Sequence, residues 1–182
     1  MDAFRRVLCA IDLGWEAAPQ AGNARRSSPL LGPTAEAALR AAAREASFHG
    51  ADLMVLHALP MDPGAPMSPQ AVEAWLIQRQ ELASVIIDAV LAAIDRVVGR
   101  SPEDVPILVE DGPADRAILD AAQRVGAELV VVGCIGAKGL GGALLGSVAS
   151  AVVRDARCSV LVVRPLDGQR ADARSAPPVA PV

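Results

Sequence analysis

Residues 133–148 read Gly-Cys-Ile-Gly-Ala-Lys-Gly-Leu-Gly-Gly-Ala-Leu-Leu-Gly-Ser-Val and hold six of the chain's fifteen glycines. The apolar run Leu129 to Val132 precedes them, and a helix-like stretch, Ser147 to Asp155, follows. A glycine-rich turn between a buried strand and a helix lets backbone N–H groups approach an anion closely, and the helix dipole adds to the attraction. The chemistry is phosphate binding. Gly133, Gly136 and Gly146 would bare the backbone, because a residue without a Cβ admits an oxygen and tolerates positive φ. Ser147 offers a hydroxyl at the helix start, and Val148 a backbone N–H. Lys138 could neutralise a phosphate, although an exposed loop lysine is the simpler reading. The plain alternative is a tight strand-to-helix connection with an ordinary serine cap.

Two better-known phosphate loops fit worse. A Walker A loop needs G-x4-G-K-[ST]; Gly141 and Gly146-Ser147 come near that spacing but lack the lysine. A dinucleotide fingerprint follows the first strand of its domain, and no G-x-G-x-x-G is present. The spacing Gly133, two residues, Gly136, nine residues, Gly146-Ser147 instead resembles the G-x2-G-x9-G-[S/T] pattern of the ATP-binding branch of the universal stress protein family. Ser147 to Ser150 and Ala156 to Arg164 also look like the end of that domain. The resemblance implies ATP as ligand, with Mg2+ held through its phosphates. It places Asp12 beside the ribose and adenine, and Ala10 and Leu53 in the adenine pocket, Leu53 through its backbone. It further implies a five-stranded sheet of order 3-2-1-4-5 and a homodimer formed through the strand Val160 to Val163. Cys134-Ile135 departs from the family, many of whose members carry a polar or cationic side chain there.

Those residues need strands and helices to hold them. Val7 to Ile11, Leu53 to Ala58, Ile107 to Glu110, Leu129 to Val132 and Val160 to Val163 are short, nearly continuous apolar runs, as strands buried on both faces are. Helical patterns separate them. Thr34 is placed to cap a helix with Leu39, Ala42, Ala43 and Ala46 on one face, stopped at Gly50. Ser68-Pro69 suits the start of a long helix with Leu82, Ile86, Ala89, Ala93 and Val97 inward, ending at Gly99. Pro113 opens a third helix with Ala114, Ala117, Ile118, Ala121 and Ala122 inward, ending at Gly126, and Ser147 opens a fourth. The alternation predicts a doubly wound α/β sandwich with helices on both faces of a parallel sheet. Ligands in such sheets bind beyond the carboxyl ends of the strands, where strand order reverses. The glycine loop leaves one of those ends. A carboxylate ending the first strand, Asp12, can accept hydrogen bonds from sugar hydroxyls there; a solvated strand-end aspartate or a cap is the alternative.

At 182 residues and 52% hydrophobic, the chain makes one domain, expected over residues 1–165. Gly14 to Pro33, rich in Ala, Pro, Gly, Ser and Arg, reads as an irregular insertion, and residues 166–182 as a disordered, Pro-rich tail. Net charge is −4 with no basic block, and two Phe, two Trp and no Tyr leave no stacking platform, so a nucleic-acid partner is not expected. No apolar run is long enough to span a membrane, and Met1 to Arg6 leads into a strand rather than a leader, so a cytoplasmic location is expected. Cys9, Cys134 and Cys158 lack C-x-x-C or zinc spacing and read as reduced thiols, Cys134 alone lying near the glycine loop. His57 reads as a packed or hydrogen-bonded histidine, and His49 as a helix-terminal one. No nucleophile with a base and no paired carboxylates stand near the loop. The expected role is nucleotide sensing or stress tolerance rather than rapid catalysis. The alternatives are an interaction module of the same fold that binds no nucleotide and a slow ATP-hydrolysing enzyme.

Overall fold

Each of the five apolar runs forms a strand. The computed structural model describes residues 3–15, 29–59, 69–98, 101–134 and 145–165. The sheet strands are β1 (Arg6–Ala10), β4 (Asp52–Leu59), β5 (Ile107–Asp111), β6 (Leu129–Gly133) and β7 (Ser159–Val163). They are joined through α1 (Pro33–His49), α2 (Pro69–Val98), α3 (Ala114–Val125) and α4 (Ser147–Asp155). The order across the sheet is β5-β4-β1-β6-β7 and every pairing is parallel. Counting sheet strands alone, this is 3-2-1-4-5.

Successive side chains of a strand point to opposite faces, so each face receives its own set. Val7, Cys9, Leu53, Val55, Leu129 and Val131 pack with Leu39, Ala42, Ile86, Val90 and Ile94 of α1 and α2. Leu8, Ala10, Met54, Leu56, Val130 and Val132 pack with Ile118, Ala121, Ala149 and Val152 of α3 and α4. Two cores therefore sandwich one sheet, which is why the runs show no polar alternation.

The helix ends show which local signals decide. α1 begins at Pro33 behind an extended Gly32 with no side-chain cap, so Thr34 lies inside the helix and caps nothing. Proline at the first helical position loses no hydrogen bond and has its φ already set, which is enough to start the helix. Gly50 and Gly126 close α1 and α3 in the left-handed conformation, as their sequence positions predict. Along α2 the deepest residues are Ile86, Val90, Ala93 and Ile94, with Leu82, Ala89 and Val97 only partly buried. Ser68 and Gly99 fall outside the described residues.

The segment between β1 and α1 carries structure that its composition does not announce. β2 (Leu13–Trp15) and β3 (Pro29–Leu31) form an antiparallel ribbon in the register Leu13↔Leu31, Gly14↔Leu30 and Trp15↔Pro29. Leu13 is buried and Leu31 packs on the α1–α2 core. Apolar burial at its base therefore anchors the ribbon. The two ends of the Gly14 to Pro33 stretch are thus ordered, and Pro33 itself belongs to α1. Residues 16–28 and the 166–182 tail lie outside the described residues.

Candidate nucleotide site at the carboxyl edge of the sheet

From β1 the chain crosses to β4 and then β5 on one side, and returns through α3 to β6 on the other. The strand order therefore reverses between β1 and β6. Crevices for ligands open at such points, because the connections leaving the two strands diverge. Ala10 stands opposite Val132 in the ladder, so the residues that follow, Ile11-Asp12 on one strand and Gly133 on the other, lie side by side at this end of the sheet. Asp12 is exposed at its mouth.

The glycine-rich segment leaves and rejoins this edge through one narrow neck. The Cys134 N–H donates to the Val163 carbonyl at 2.8 Å, and the Gly146 N–H donates to the Cys134 carbonyl at 2.7 Å. The loop therefore closes on itself at Cys134. Residues 135–144, with Gly136 and Lys138, lie outside the described residues. Immediately after the neck α4 begins: Gly146 is extended (φ −61°, ψ 160°), no side chain caps the helix, and no acidic residue occupies its first turn. The Ser150 N–H donates to the Gly146 carbonyl at 2.9 Å, the first bond of the helix. The N–H groups of Ser147, Val148 and Ala149 precede that bond and have no partner within the helix. Ser147 is exposed at the first position, and Val148 is half-buried. Gly133, Gly146, Ser147, Val148, Ala10 and Asp12 thus lie at the same carboxyl edge of the sheet.

The profile described as the Universal stress protein family matches residues 30–164. This chain belongs to that family. β1 and Asp12 precede the matched stretch. A universal stress protein of Thermus aquaticus is 38% identical over 130 residues, 71% of this chain and 90% of its own. One from Mycobacterium tuberculosis (strain H37Rv) is 36% identical over 138 residues, 72% of this chain but 42% of its own length. The chain therefore spans less than half of that mycobacterial relative. Among solved structures, a universal stress protein in complex with cAMP is similar at 22% identity and a TM-score of 0.57, over 90% of this chain and 99% of the other.

One residue expected in this stress protein's pocket is elsewhere. Leu53 pairs with Val7, three positions before the Ala10↔Leu56 pair, and so lies about 10 Å down the sheet from the crevice. Its side chain is fully buried against α1 and α2, on the face opposite to that of Ala10. The β4 residue that reaches the carboxyl end on Ala10's face is Ala58, two beyond Leu56 and partly buried in the same cluster. The pleat carries that signal: once Ala10 is set against Leu56, only even steps along β4 return to its face.

The thiols serve the core. Cys134 is fully buried, so its apolar character fills space beneath the loop rather than lining the crevice. Cys9 is also fully buried, and burial pushes its thiol up to about 12. Burial raises Cys158 as well, and all three cysteines are free. His57 is buried, its Nδ1 lying 3.1 Å from the Ile11 carbonyl. His49 closes α1 with its Nε2 3.6 Å from Glu45 and its ring edge-on to Phe4 and Phe48. No His, Cys, Asp and Glu group able to hold a metal occurs among the described residues. Among them, no helix is long and apolar enough to cross a membrane.

Proposed function

We propose that this universal stress protein binds ATP in the crevice between β1 and β6, its phosphates cradled by the glycine loop. The observation that carries the reading is the neck: one hydrogen bond from Gly146 to Cys134 closes a glycine-rich loop directly onto an uncapped, acid-free helix start. Bare backbone at Gly133, Gly136 and Gly146, the Ser147 hydroxyl and the Val148 N–H would meet the phosphate oxygens. Asp12 would accept from the ribose hydroxyls, with Ala10 and Ala58 flanking the base. Mg2+ would be carried by the phosphates. A relative of the same fold holds cAMP, which supports an adenine nucleotide as the ligand class. The role in this reading is nucleotide sensing rather than fast turnover.

The proposal includes a homodimer. β7 lies at the edge of the sheet, paired on one side with β6, and Ser159–Val163 contains neither charge nor proline. An uncharged edge of this kind is a ready template for pairing.

Calorimetry with the purified chain, ATP and Mg2+, beside cAMP, tests the ligand. Saturable binding of ATP is expected, and no heat at high micromolar nucleotide would overturn the proposal. A phosphate-release assay on the same sample is expected to stay at background; sustained turnover would favour the enzyme alternative. Sedimentation equilibrium is expected to give a dimer, and a monomer at all concentrations would remove the β7 interface.

A further inference from the structure

The end of β1 is held in an unusual way. The Ile11 N–H donates to the Leu56 carbonyl at 2.9 Å, as the parallel ladder to β4 requires. A continuing ladder would next bring the Ile11 carbonyl to the N–H of Ala58. Instead the side chain of His57, the residue following Ala10's partner Leu56, approaches that carbonyl with Nδ1 at 3.1 Å. A carbonyl only accepts, so Nδ1 is the nitrogen that carries the proton. His57 is only 5% exposed. In this low-dielectric setting water does not readily replace the bond.

The bond acts on the peptide that leads into Asp12. Beyond Ile11 the chain turns out of the sheet, passes through Asp12 and starts the ribbon at Leu13. Rotation of the Ile11–Asp12 peptide would swing the carboxylate and tilt the ribbon together. Leu56 and His57, consecutive in β4, hold one polar group of Ile11 each, and so fix both sides of that residue.

We propose that His57 is a positioning residue for the nucleotide site: through Nδ1–H and the Ile11 carbonyl it sets the direction of Asp12 and the departure angle of the β2–β3 ribbon. The inference about affinity rests on the reading of Asp12 as a ribose contact; the inference about geometry does not.

Three variants separate the bond from simple packing. In His57→Asn the amide nitrogen sits as many bonds from the backbone as Nδ1 and can donate to Ile11. In His57→Gln the nitrogen falls where Nε2 lies, and in His57→Leu no donor remains. Hydrogen exchange over residues 11–15 is expected to be at least about tenfold faster in His57→Leu and His57→Gln, and close to wild type in His57→Asn. ATP affinity is expected to fall about five- to tenfold in His57→Leu, the worth of one neutral hydrogen bond, and to recover in His57→Asn. Combined with Asp12→Ala, the His57→Leu loss should largely disappear, since a carboxylate that is absent cannot be misdirected. Equal exchange in His57→Asn and His57→Gln would overturn the proposal, as would full additivity with Asp12→Ala. Should the wild type bind no ATP, the functional reading falls, and the exchange experiment still decides whether His57 holds the turn. Should His57→Leu not fold, the Asn and Gln pair carries the same decision.

Discussion

Helices α3 and α4 pack on the same face of the sheet and start at the same edge, yet their N-termini are built to opposite ends. The connection into α3 is only Gly112-Pro113. It is tied back by a 2.9 Å bond from the Gly112 N–H to the Leu59 carbonyl, and Asp115 stands in the first turn. The connection into α4 runs from Cys134 to Gly146, is rich in glycine, and leads to a first turn without an acid. Every helix start offers unpaired N–H groups and a partial positive charge. At α3 the chain supplies its own carboxylate. At α4 it supplies none in the first turn, which follows a glycine-rich connection in the sequence. On the proposed reading, loop length and one acidic side chain, not the sandwich itself, select the helix start that would take a phosphate.

The glycines offer the sharpest way to break this contrast. Gly136→Val is expected to remove measurable ATP binding, a loss of at least about a hundredfold (about 2.7 kcal/mol), with helicity by circular dichroism unchanged. Retained affinity would show that the loop is not the cradle. Gly112→Ala is the counterpart at α3. Gly112 has φ +117°, and a Cβ there would meet no atom within 4 Å, so the cost is backbone strain alone. A loss of about 1–3 kcal/mol in unfolding free energy is expected, measured by urea titration, with ATP affinity unaltered. If Gly112→Ala also abolished binding, the two helix starts would not be functionally separate.

Much of this arrangement is legible in the chain, because parallel strands buried on both faces leave apolar runs that nothing else explains. Their limits agree with the structure to within a residue, and Ser147 to Asp155 is the fourth helix from end to end. What escapes is whatever depends on register or on distant partners. Leu53 and Ala58 are both apolar residues of one strand, and only the pairing of Ala10 with Leu56 shows that the second reaches the crevice. The ribbon is hidden because Leu13 is separated from Leu30 and Leu31 by a stretch far longer than a hairpin loop and without apolar alternation. Thr34 is a good cap by type, but Gly32-Pro33 starts the helix first. The His57 bond to Ile11 joins residues 46 apart in sequence, and no local pattern encodes it.

The charge difference gives a subtler test than the glycines. Ser147→Asp places a carboxylate at the first position of α4, where the proposed phosphate would stand. Like charges at close range oppose binding, and the aspartate answers the helix dipole itself, so ATP affinity is expected to fall about five- to tenfold by calorimetry. The apo protein should not lose stability, because an acid in the first turn favours the helix by about 0.3–1 kcal/mol. Weaker binding with an unchanged or higher melting temperature cannot be mistaken for misfolding.

The smallest effect belongs to the mirror substitution. Asp115→Asn removes the acid from α3 and is expected to cost about 0.3–1 kcal/mol in unfolding free energy, shrinking with added salt, because the interaction is a half-exposed charge with a helix end. It should leave ATP affinity as it is. The informative outcome is what the substitution does not do. Freed of its carboxylate, α3 still has Gly112-Pro113 in front of it, whose two residues cannot wrap an anion, so no second nucleotide should appear in the calorimetric stoichiometry. A second site would mean that the acid, rather than the loop, had kept α3 empty.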